Sequence, residues 1–124
     1  MNISCVTEEH RKFQKDLNAG LVALVLLAVL DRSTDDLYGY EIAKRLQRAN
    51  EGEALFKEGT VYPVLRALSA EGFLRSRIEP SDAGPPRRYY RITKEGRAEL
   101  AAQRQQWKVV DGTLRGLWMK ACMA

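Results

Sequence analysis

The spacing of apolar residues changes near residue 72, and the change organises the chain. Before it, Val61, Leu65 and Leu68 recur at a helical period that gathers them on one face and leaves Thr60, Tyr62, Pro63 and Arg66 outside it. Pro63 lacks an N–H and suits the first turn of a helix. The helix is therefore predicted to begin near Thr60, as its N-cap, and to stop at Gly72, a natural C′ residue. After Gly72 the period becomes two. Leu74, Ser76 and Ile78 alternate with Arg75, Arg77 and Glu79; beyond the turn-rich PSDAGPP, Tyr90 and Ile92 alternate with Tyr89 and Arg91. A two-stranded hairpin is predicted, with Tyr90 on its core side.

The flanking segments read as helices. Thr7 followed by Glu8 and Glu9 opens one, with Phe13 and Leu17 as a narrow apolar stripe, and it either runs on or breaks near Asn18-Ala19-Gly20. From about Gly20 to Asp31 the chain is apolar on nearly every side, which points to burial against both the domain and a second copy. The apolar run Ala19 to Leu30 is shorter than the roughly 20 residues that span a bilayer, so a buried helix is expected, with a signal anchor as the alternative. RSTDD breaks the pattern before LYGYEIAKRLQRAN, a helix with Ile42, Leu46 and Ala49 inward and Lys44, Arg45 and Arg48 outward. Gly39 there either admits a neighbouring backbone or is merely tolerated near a helix start. EGEALFKEG connects to the Thr60 helix, and a short strand around Ala54 to Phe56 is expected to join the hairpin.

From Thr93, an N-cap with Glu95 in the first turn, a long helix closes the sequence. Leu100, Trp107, Val110, Leu114, Leu117 and Ala121, with Gln103 filling the missing step, alternate three and four apart, an a/d seam. A lone domain has little use for such a seam; a homodimer does, with Trp118 beside it as an anchor. Gly112 and Gly116 cost about 1 kcal/mol each relative to Ala unless they permit close packing. The fold class that results is mainly α with a small β-hairpin: a winged helix-turn-helix, in which the last short helix enters a DNA groove and the hairpin lies along the backbone. Residues 1–18 form an N-terminal helical arm, 19–93 the winged helix and 94–124 the dimerisation helix.

Charge sharpens this picture. The 124 residues carry 20 Lys and Arg against 16 Asp and Glu, a net +4. Residues 73 to 97 alone hold seven cations (Arg75, Arg77, Arg87, Arg88, Arg91, Lys94, Arg97) against three acids, so this quarter of the chain accounts for the whole excess. A basic stripe so confined suits a polyanion such as a phosphate backbone, a solvated strand face being the plainer alternative. Cys5 and Cys122 form no CxxC and read as free thiols of a reducing compartment, the cytoplasm, with an interchain disulfide left open. His10 reads as a surface residue. No nucleophile–base set, metal-ligand cluster or cofactor motif is visible, which argues against an enzyme.

LYGYEIAKRL (37–46), EGTVYPVLRALSAEGFL (58–74) and GPPRRYYRITKEG (84–96), in this order and spacing, resemble the PadR family of bacterial winged-helix transcriptional regulators. The single terminal helix is similar to the family's small subgroup. The resemblance implies a homodimeric repressor of a pseudo-palindromic operator, in many members released by a small molecule. It implies DNA contacts at Tyr38, at Thr60, Tyr62, Pro63 and Arg66 of the recognition helix, and at Arg87 and Arg88 of the wing. Their chemistry agrees: the hydroxyls can bond phosphate or base edges, Arg66 can reach a guanine, and wing arginines neutralise phosphates. It further implies an aromatic residue of the terminal helix at the dimer centre, where a planar hydrophobic effector stacks; Trp107 is the matching position, and the two Trp107 rings of a dimer are expected to line an aromatic slot walled by Leu17, Leu21 and Leu24. A seam residue is the equal alternative for Trp107. The expected partners are double-stranded DNA and a second copy, with no membrane. A winged-helix module that binds proteins without reading DNA is the rival.

Overall fold

The computed structural model describes residues 7–49 and 56–123. The elements run α1 (Glu8–Arg32), β1 (Leu37–Tyr38), α2 (Gly39–Ala49), α3 (Glu58–Ala70), β2 (Leu74–Glu79), β3 (Arg87–Ile92) and α4 (Lys94–Met123). Cys5, the expected strand apart from Phe56, and the side chains of Ala121 and Cys122 lie outside the described residues.

Thr7 caps α1 as expected, its hydroxyl accepting the His10 N–H at 3.0 Å. The helix then continues through Asn18-Ala19-Gly20 without a break, for 25 residues. Its length and composition would allow it to cross a membrane. However, its face of Val22, Leu26, Leu27 and Leu30 is the middle of the domain core, closed by Leu37, Ile42, Val61, Leu65, Leu74, Tyr90 and Ile92. Ile42 and Leu46 of α2 point inward; Ala49, expected beside them, is exposed.

Two local expectations shift. The N-cap of α3 is Lys57, without a side-chain capping bond, and Thr60 lies inside the first turn, donating its N–H to the Lys57 carbonyl at 2.9 Å. Pro63 is consequently the sixth helical residue. Its missing N–H deprives the Gly59 carbonyl of a donor, and Gly59 is exposed, so water can supply one. The sheet is three-stranded, in the order β1-β3-β2, and antiparallel throughout. Its third strand is Leu37–Tyr38, Leu37 facing Tyr90 and Tyr38 facing Tyr89.

The other end of α3 follows expectation. Glu71 is the C-cap and Gly72 takes φ +86°. The Gly72 N–H reaches the Ser69 carbonyl at 3.0 Å and that of Phe73 the Leu68 carbonyl at 2.9 Å, a Schellman motif. The chain thereby turns into β2, and the return of β3 brings Thr93 back to the same turn. Thr93 donates its hydroxyl to the Gly72 carbonyl at 2.7 Å and its N–H to the Phe73 carbonyl at 3.1 Å. The same hydroxyl accepts from the Gly96 N–H at 3.0 Å, capping α4.

Leu100 requires a correction. It is 3% exposed within one chain and belongs to the domain core, so it is not part of a seam left open for a partner. Beyond it Trp107, Val110, Leu114, Leu117 and Trp118 of α4 are exposed, although Trp107 and Val110 still face α1 across a shared cavity. Gln103 is half-buried and bonds Glu99 at 2.8 Å.

Glycine at 96 is required by the joint, because a Cβ there would run into the Phe73 carbonyl oxygen and lie 2.8 Å from Ile92 Cγ1. At Gly112 a Cβ would meet open space. Gly96→Ala should therefore lower stability by about 1–3 kcal/mol through overpacking. Gly112→Ala should raise it by up to about 1 kcal/mol. Thermal unfolding of the two variants would show shifts of opposite sign.

Candidate nucleic-acid interface

Alternation along the hairpin divides its side chains between two faces. Ser76 and Tyr90, with Leu37 beyond them, share the inner face, and Ile78 and Arg88 continue it past the core. Arg77, Tyr89 and Tyr38 form a row on the outer face, flanked by the pairs Arg75–Arg91 and Glu79–Arg87. Arg87 and Arg88 consequently point to opposite faces of the wing.

The outer row is a ladder of rings and cations. Tyr38 lies 5.5 Å from Tyr89 and 6.2 Å from Tyr40, centroid to centroid. The Arg87 guanidinium sits 4.6 Å above the Tyr38 ring, that of Arg77 4.7 Å above Tyr89, and the Lys44 ammonium 5.5 Å above Tyr40. Such stacking orients a cation while leaving its N–H edge open for an anion.

Asp36 divides the basic stripe that the sequence presents as one unit. Its carboxylate accepts from Arg77 at 2.9 Å and from Arg91, tying the loop before β1 to both hairpin strands. Arg77 also pairs with Glu79, and Arg97 with Asp31 at 3.3 Å. Three of the seven cations thus bind protein carboxylates. Arg75, Arg87, Arg88 and Lys94 have no carboxylate partner among the described residues, although Arg88 reaches the Ser76 hydroxyl at 3.2 Å. The bonds from Arg91 and Arg77 hold the Asp36 carboxyl below the usual aspartate range, outweighing the desolvation that would raise it.

Tyr38, Tyr62, Arg66, Arg87 and Arg88 line one open cleft of about 270 Å³ where the start of α2, the second turn of α3 and the wing converge. These are five of the seven residues singled out for DNA. Thr60 and Pro63 are exposed on the first turns of α3, outside the cleft lining. Tyr90 closes the cleft from the core side; burial pushes its phenol above the ordinary range, with Arg88 and Arg66 opposing the rise. Tyr40 at the rim was missed in the sequence, although its place beside Tyr38 and one turn before Lys44 was a usable signal.

A second cavity, of about 330 Å³, lies between α1 and α4 and brings Leu17, Leu21, Leu24 and Trp107 together with Gln103 and Val110. Among the described residues, no group of three His, Cys, Asp or Glu side chains could hold a metal.

The profile of the "Transcriptional regulator PadR-like family" matches residues 26–102, from the core of α1 to the third turn of α4. The chain belongs to the PadR-like family of transcriptional regulators. It is a DNA-binding winged-helix regulator and not an enzyme. A transcriptional regulator from Clostridium thermocellum is 28% identical with a TM-score of 0.72, covering 81% of this chain and 95% of that one. A PadR-like regulator from Bacillus cereus is 28% identical with a TM-score of 0.65 over 82% and 95%. PadR of Bacillus subtilis, whose structure was solved with operator DNA, is 24% identical with a TM-score of 0.59 and shares the fold over 67% of this chain and 45% of that one. The chain also spans half the length of the Escherichia coli transcriptional regulator YqjI, to which it is 24% identical over 89% of its own residues.

The Asp36 bridge has a pH signature. A carboxyl whose folded pKa is depressed contributes stability that is present above its unfolded pKa and is lost as pH falls through the folded value. Denaturant unfolding should therefore show stability declining below about pH 4, where an ordinary aspartate protonates. Asp36→Asn should be less stable at neutral pH and should lose less on acidification.

Proposed function

We propose that the protein acts as a homodimeric repressor that binds a pseudo-palindromic operator and is released by a planar hydrophobic effector. The observation that carries the DNA half of this reading is the cleft in which Tyr38, Tyr62, Arg66, Arg87 and Arg88 converge from three elements. In the assignment that follows, the first turns of α3 enter the major groove. Arg66 and Tyr62 then face base edges, and Thr60 and Pro63 meet the groove wall. Arg87, held over Tyr38, and Arg88 neutralise phosphates on the flanking strand.

The dimer rests on α4. Its 30 residues extend roughly 45 Å, and the stretch from Trp107 to Met119 exposes two tryptophans with Val109, Val110, Leu114, Leu117 and Met119. That much contiguous apolar surface on one projecting helix fits a self-complementary two-fold interface. Two copies so joined present two recognition helices to the two halves of an inverted repeat. The same interface brings both Trp107 side chains towards the two-fold axis beside the α1–α4 cavity, whose volume suits a small aromatic ligand. Because α4 is capped by Thr93 directly after β3, a ligand that changes how α4 lies on α1 also moves the wings, which is the differential contact that release requires.

Three outcomes follow. Sedimentation equilibrium should give a dimer, and Leu114→Lys with Leu117→Lys should give a monomer that no longer binds the operator. Operator affinity of Arg87→Ala/Arg88→Ala should fall, with the salt dependence shallower by about 0.9 for each phosphate no longer neutralised; an unchanged slope contradicts the wing assignment. Tryptophan emission should change on titration with planar aromatic compounds in the wild type and not in Trp107→Ala.

A further inference from the structure

Gly39 is the buried first residue of α2, and its φ is not in the left-handed region, so the backbone itself does not require glycine there. The neighbour does. A Cβ at this position would overlap the edge of the Tyr62 ring, with Cε1 inside any permitted separation, Cδ1 at 3.0 Å and Cζ at 3.2 Å. The three nearest atoms all belong to that one ring, which lies where the missing side chain would be.

The start of α2 cannot retreat to make room. Tyr38, immediately before it, is paired with Tyr89 in the sheet and stacked beneath Arg87. The Tyr38 N–H is held by the Glu41 carboxylate at 3.1 Å, the returning half of a capping box. If a methyl group were added at residue 39, the ring of Tyr62 is therefore the part that would have to move. Tyr62 is half-buried on the second turn of α3, in the cleft it shares with Arg66 and Arg88.

We infer that Gly39 is a positioning residue for DNA recognition: its bare backbone is the socket that fixes the Tyr62 ring, and hence the place at which the recognition helix presents its phenol edge to DNA. The inference rests on the proposed role of Tyr62 as a DNA contact. A ring already confined to one orientation loses less side-chain freedom on binding, so the socket contributes to affinity without touching the ligand. Gly39 also couples the two helices of the DNA-binding unit, since α2 and α3 meet there through one aromatic edge. The Tyr62 ring is partly buried and packs on the edge of the core that holds Ile42, Val61 and Leu65, so the stability of Gly39→Ala is to be measured beside its affinity.

The test is a double-mutant cycle on a duplex carrying the inverted repeat that the protein recovers from fragmented genomic DNA. Gly39→Ala should weaken binding about tenfold, Tyr62→Ala at least as much, and the double variant no more than Tyr62→Ala alone, because the first change acts only through the ring. Without DNA, 19F spectra of protein carrying 3-fluorotyrosine provide an independent readout. The resonance assigned through Tyr62→Phe should move in Gly39→Ala, while that of Tyr89, on the other face of the sheet from Tyr90 and outside the cleft lining, stays. Equal losses from Gly39→Ala in the presence and absence of the Tyr62 ring overturn the positioning role alone. So does wild-type affinity in Gly39→Ala together with an unmoved resonance. Unchanged affinity in Tyr62→Ala removes the DNA contact itself and the positioning role with it.

Discussion

The structure depends on the joint at which Gly72, Phe73, Thr93 and Gly96 meet. Gly72 ends α3 in a left-handed turn, and Thr93 closes the hairpin onto that turn while capping α4 with the same hydroxyl. The absence of a side chain at Gly96 lets the first turn of α4 lie against the Phe73 carbonyl. Three elements, α3, the hairpin and α4, are thereby fixed to one another over a few residues. A displacement of α4 has no flexible linker in which to dissipate before it reaches the wing, since Thr93 alone separates β3 from α4.

The cations of the wing are arranged by two different means. Arg77 and Arg91 are bound by Asp36, so they hold the hairpin to the body and contribute little charge to a ligand. Arg87 is held by stacking on Tyr38, which orients the guanidinium without neutralising it. A wing built only from carboxylate pairs would be rigid and electrostatically quiet, and one built only from unpaired arginines would repel itself. Here the paired arginines sit towards the base of the hairpin and Arg87 and Arg88 at the far end of β3, where the wing meets the cleft.

Local signals in the sequence translated directly. Thr7, Gly72 and Thr93 act within a few residues of themselves, and each takes its expected place. The hairpin was legible because alternation runs through all of β2 and through the last four residues of β3; its register came from the structure. The strand Leu37–Tyr38 was not, because two residues carry no period, and its pairing is decided by Tyr89 and Tyr90 some fifty positions away. The Asp36 bridge was hidden for the same reason, its partners lying 41 and 55 residues along the chain. Pro63 misplaced the start of α3 because an exposed carbonyl one turn earlier makes a proline tolerable deeper in a helix than its chemistry alone implies. Leu100 was misread because burial against the domain and burial against a partner leave the same spacing. The convergence of Tyr38, Tyr62, Arg66, Arg87 and Arg88 came only from motif resemblance; no periodicity relates residues 38, 66 and 87.

The most direct test of the central claim, that the cleft between α2, α3 and the wing reads DNA sequence, is recovery of fragmented genomic DNA by the wild-type protein and by a Tyr62→Ala/Arg66→Ala variant at two salt concentrations. The account predicts that the wild type enriches a recurrent inverted repeat at the higher salt, and that the variant retains only diffuse, salt-sensitive binding. Recovery of the same repeat by the variant, or of no recurrent sequence by the wild type, would contradict it.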